Sequence, residues 1–105
     1  MIKAPTTVKV GPFVYKIVFV GGLEDDEGQV LWGNCQPANL TINISKQIDP
    51  AMQKTILVHE ILHAIYHLSG LPDPVSEEQM VTTLSPLLLL VMQENPKLIG
   101  YLHGK

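Results

Sequence analysis

The sequence predicts an α+β domain, and two observations carry that prediction. The first half of the chain holds short runs rich in β-branched and aromatic residues, one of them strictly alternating. The second half holds longer apolar runs with helix start and stop signals. Strands followed by helices, rather than the two interleaved, predict a small antiparallel sheet with helices packed on it. At 105 residues the chain is read as a single domain, 1–105.

Residues 6–10, TTVKV, alternate and suit a strand, and Gly11-Pro12 marks a turn. Phe13 to Val20, FVYKIVFV, is a second strand and forms a hairpin with the first. Gly21 to Gly28, GGLEDDEG, is a solvated acidic loop without the ligand spacing of an EF-hand. Gly28 to Cys35 is read as a third strand, and Gln36-Pro37-Ala38-Asn39 as a turn. Leu40 to Ser45, LTINIS, places Leu40, Ile42 and Ile44 on one face and Thr41, Asn43 and Ser45 on the other. Asp49 then caps a helix that starts at Pro50 and ends at Gly70. Ser76 and Gln79 form a capping box for a second helix, kinked or split at Pro86. Asn95-Pro96 opens a short last helix.

The first helix carries His59, Glu60 and His63 in the spacing H-E-x-x-H. Residues four apart share a helix face, so the two imidazoles can bind one metal ion beside the Glu60 carboxylate. The flanking residues are apolar nearly all round, which predicts a buried helix. A glutamate buried there needs a partner. A catalytic zinc takes three protein ligands and keeps a position open for water, and Glu60 would take the proton of that water. Downstream candidates for the third ligand are Asp73, Glu77, Glu78 and His67. Asp73, between two prolines, is turn chemistry. His67 lies two turns beyond His59, about 12 Å along the axis, too far to share an ion with it. With Glu77 at zero, Met80, Val81, Leu84, Leu88 and Val91 fall at about −60°, +40°, −20°, +20° and −40°. Glu77 therefore centres on the apolar stripe of the second helix. It is the expected third ligand, with Glu78 as the alternative. Candidate oxyanion stabilisers are Tyr66, His67, Tyr101 and His103, and Cys35 is either a soft ligand or a small hydrophobe.

The combination LTINIS…TILVHEILHAIYHLSGL…SEEQMV…ENPKL resembles the zincin metallopeptidases. Among these it looks most like small metallopeptidase-like proteins of phages and mobile elements, distant relatives of the phage-repressor-cleaving immunity proteases. The resemblance implies a minimal zincin-like fold of sheet, edge strand, metal helix and a helix with the third ligand. It implies that LTINIS is the edge strand that pairs with an extended peptide. It also implies hydrolysis of peptide bonds in a protein partner, with zinc as the metal and Glu60 as general base.

Composition narrows the alternatives. Seven lysines, no arginine and a net charge of −3 argue against nucleic-acid readout. Leu84 to Met92 is too short to span a membrane and contains Pro86. A single cysteine and an N-terminal segment without a signal-peptide core predict a soluble, cytoplasmic protein. The oligomeric state is open at this stage. The rival reading is a non-catalytic, zincin-like binding protein with a structural zinc, and a third is a metal-free adaptor that dimerises through its apolar helices.

Overall fold

A computed structural model describes residues 3–104. Four strands, β1 (Thr7–Val10), β2 (Phe13–Val20), β3 (Gly33–Gln36) and β4 (Thr41–Ser45), precede three helices, α1 (Pro50–Ser69), α2 (Glu77–Glu94) and α3 (Pro96–His103). The α+β expectation is met. The sheet order is β1-β2-β4-β3. β1 pairs with β2, and β3 with β4, in the expected antiparallel sense, but β2 and β4 run parallel, so the sheet is mixed. The chain leaves β2, passes to the far edge as β3, and returns between them as β4. The apolar Ile and Val strands thereby take the centre, and the polar strand GNCQ takes an edge. Short, polar edge strands are the usual protection against unwanted pairing.

Two sequence expectations change here. LTINIS is not an edge strand: β4 is hydrogen-bonded on both sides, and the edge next to it is β3. The third strand is also shorter than 28–35, because Gly28 to Trp32 run outside the sheet apart from an isolated bridge between Glu24 and Val30.

Alternation decides which face of the sheet is covered. Val8, Val10, Tyr15, Ile17, Ile42 and Ile44 point inward and form the core with Leu57, Ile61, Ala64 and Ile65 of α1. Each such aliphatic side chain contributes about 1.5–3 kcal/mol when fully buried. α1 begins where expected. The Asp49 carboxylate accepts from the Ala51 N–H at 2.8 Å, Pro50 takes the first position, and Gly70 ends the helix with φ 67°. Glycine adopts that left-handed conformation without a Cβ penalty. The expectation that α1 is buried all round is not met: Val58 and Leu62 are exposed. α2 opens with the expected capping box between Ser76 and Gln79, and runs unbroken through Pro86.

The α2–α3 junction is fixed to β1 by Asn95. Its Oδ1 accepts from the Lys9 N–H at 2.8 Å, and its Nδ2 donates to the carbonyls of Lys9 at 2.9 Å and Val91 at 2.7 Å. The amide imitates a strand partner on the outer edge of β1. Among the described residues no helix is long and apolar enough to cross a membrane.

Candidate metal centre

The helical repeat brings His59 and His63 to one face of α1, where both are exposed. Their Nε2 atoms are 3.1 Å apart and their rings meet edge to face, with centroids 4.8 Å apart. Two nitrogens on one tetrahedral zinc, with Zn–N bonds of about 2.0–2.1 Å, stand about 3.3 Å apart. The pair is therefore spaced to share one ion. Glu60 sits at the border between this face and the buried face, and it is 6% exposed. Ligand atoms of His59, Glu60 and His63 all lie within 4.8 Å of one another. Two imidazoles and a carboxylate suit zinc chemically.

Strand β3 crosses directly over this part of α1, and Gly33 makes the crossing possible. A Cβ at Gly33 would stand 2.5 Å from Ile56 Cγ2, 3.0 Å from the Asn43 carbonyl oxygen and 3.2 Å from Glu60 Oε2. The strand and the helix thus enclose the Glu60 carboxylate. Burial raises the proton affinity of Glu60, and the two neighbouring imidazoles act in the opposite direction. Burial, followed by the Glu60 charge, pushes the Cys35 thiol up to about 11.

A cleft of ≈ 610 Å³ lies between β3 and α1. His59, Glu60 and His63 line it with Gly33, Asn34 and Cys35 of β3 and with Tyr66, His67 and Leu71. Tyr66 and His67 are therefore on the cleft, as two of the four candidate oxyanion stabilisers. Tyr101 is not: it is buried in the core under the Lys54 ammonium. His103 is exposed near the end of α3. Cys35 lines the cleft but is outside the His59–Glu60–His63 group. Gly33 and Asn34 fall within the strand expected over 28–35, with no functional role expected of them. Their place over the helix depends on tertiary packing, and no local pattern signals it.

Glu77, Glu78 and Asp73 are all exposed and lie outside the group of three. The stripe expected to bury Glu77 is not itself buried, since Met80, Val81 and Leu88 are exposed and Val91 alone is buried on α2. α2 leans on the core along Leu84, Leu87 and Val91, about 50° away from Glu77, so Glu77 does not centre on the buried face as expected. The Glu78 carboxylate accepts from the Thr82 hydroxyl at 3.2 Å. Met80, one turn beyond Glu77, lines a second cavity together with His59, His63, Leu62, Tyr66 and Leu84.

Comparison with protein families, curated proteins and solved structures finds no match to this chain.

Proposed function

We propose that the protein is a zinc-dependent metallopeptidase that hydrolyses peptide bonds of a protein partner. The observation that carries this reading is the His59–Glu60–His63 group in a cleft whose opposite wall is the edge strand β3. His59 and His63 hold the metal, and Glu77 is the third protein ligand. Glu77 is favoured over Glu78 because Glu78 is engaged by Thr82, and because Met80, one turn on from Glu77, lines the cavity shared with both histidines, although Glu77 itself does not line it. A zinc ion held by these residues would supply Lewis-acid polarisation of the substrate carbonyl. Glu60 takes a proton from water at its carboxylate and returns it to the leaving amine. In the metal-free protein, burial raises its proton affinity, the direction that general-base work requires. The outer edge of β3 binds the substrate as an added strand, which holds an extended chain over Glu60. Tyr66 and His67, on the same cleft, stabilise the developing oxyanion. A reducing, cytoplasmic setting belongs to this reading, because the one cysteine is a free thiol.

The test is digestion of a mixed peptide library by zinc-loaded protein, read by mass spectrometry. Cleavage by the wild type and none by Glu60→Gln supports the reading. A zinc-loaded wild type that cleaves nothing favours the structural-zinc alternative.

A further inference from the structure

α2 is an 18-residue helix with one buried residue, Val91. Much of its apolar surface faces outward. At about 100° per residue, Val81, Ser85, Leu88, Leu89 and Met92 fall within about 100° of arc, beside the line that leans on the core. Val81 and Leu89 are each 54% exposed, and Met92 is 48% exposed. The stripe continues over a groove whose lining is wholly apolar, including Val58 and Leu62 of α1 and Ile99 of α3.

The molecule as a whole has surface to spare. Its accessible area is 6914 Å² for 11.6 kDa. A folded monomer of that mass exposes about 5,800 Å², so the excess is roughly 1,100 Å². A partner in a standard interface covers about 800 Å² on each side. The Cα radius of gyration, 14.0 Å, also exceeds the roughly 13 Å expected of a compact chain of this length.

The stripe is self-complementary. Ser85 stands at the middle of α2, and Val81 and Leu89 lie four residues on either side, along one ridge of the helix. If two copies cross antiparallel at Ser85, Val81 of each meets Leu89 of the other. The small residue sits at the closest approach. The Ser85 hydroxyl already donates to the Val81 carbonyl, so covering it strands no polar group. α2 carries no basic residue, and a parallel arrangement would bring the Glu77–Glu78 turns of both copies together. An antiparallel two-fold keeps them apart.

We propose that the chain forms a two-fold homodimer in which α2 packs antiparallel on α2 of a second copy, centred on Ser85. The stripe shares α2 with Glu77 and Met80, but its centre at Ser85 and Leu89 lies outside the residues that line the cavity beside His59 and His63. The test is mass in solution by analytical ultracentrifugation across 1–100 µM, roughly the range in which a standard interface associates. The wild type is expected at twice the chain mass and Leu89→Glu at the chain mass, with unchanged helical circular dichroism. A second variant, Ser85→Cys in a Cys35→Ala background, is expected to form an intermolecular disulfide on mild oxidation. It answers independently of how well Leu89→Glu folds. A wild type that stays monomeric throughout, or partitions onto neutral lipid vesicles as a monomer, overturns the proposal. So does a dimer that survives Leu89→Glu, and so does a Ser85→Cys dimer that fails to cross-link.

Discussion

Glu60 is held between opposing influences, a dry wall made by Gly33 and Ile56 and two imidazoles on its open side. Replacing it with glutamine keeps the shape and removes the proton acceptor. Glu60→Gln should therefore bind zinc with wild-type stoichiometry in a calorimetric titration and show no hydrolysis of any substrate found for the wild type. Cys35 reports on the same wall. With its thiol pushed up to about 11, it stays protonated in the folded, metal-free protein well past the pH at which a free thiol ionises. The thiolate is the reactive form, so iodoacetamide should modify Cys35 slowly at pH 8–9 and faster as the pH approaches 11. Urea-unfolded protein should react at the ordinary rate at pH 8.5. Equal rates for the folded and unfolded chains would mean that the wall is open to water.

At the scale of elements, the site depends on how closely β3 lies on α1. Gly33→Ala puts a methyl group against Ile56, the Asn43 carbonyl and the Glu60 carboxylate. Overpacking of this kind costs about 1–3 kcal/mol. Thermal unfolding of Gly33→Ala should show that loss, and its zinc affinity should fall because Glu60 and the histidine face are displaced. Asn95 holds the helical half onto β1 through two hydrogen bonds to Lys9, with a third to Val91 of α2, so Asn95→Ala should cost about 1–3 kcal/mol in urea unfolding. An effect below about 0.5 kcal/mol would show that the junction is held by apolar packing alone. Much at this scale was legible in the sequence. Asp49, Pro50, Gly70, Ser76 and Gln79 act locally, and α1 and the start of α2 fall where those residues predict; α3 starts at the expected Pro96, although the Asn95 side chain caps nothing there and reaches Lys9 instead. A third strand was legible over 28–35, but its place over the site was not, because that is set by pairing with β4 and by packing on α1, which begins seventeen residues after Gly33. Neither was the edge assignment, since LTINIS alternates in the same way whether its neighbours lie on one side or both.

At the scale of the whole molecule, α+β architecture followed from the order of local patterns, while strand order and the parallel β2–β4 pairing arise from long-range contacts that no local period encodes. The same limit applied to Glu77. Its expected place at the middle of the buried face is not met, because which angle of α2 faces the core is set by how α2 docks. Glu77→Ala should weaken zinc binding sharply and Glu78→Ala little, measured by calorimetric titration; the reverse order would move the third ligand by one residue. The most direct measurement is elemental analysis of protein purified without chelator or affinity tag, wild type beside His63→Ala. The expected result is about one zinc per chain in the wild type and none in His63→Ala, with both folded by circular dichroism. No metal in the wild type after incubation with zinc, or equal zinc in both proteins, would contradict a metal centre at His59 and His63.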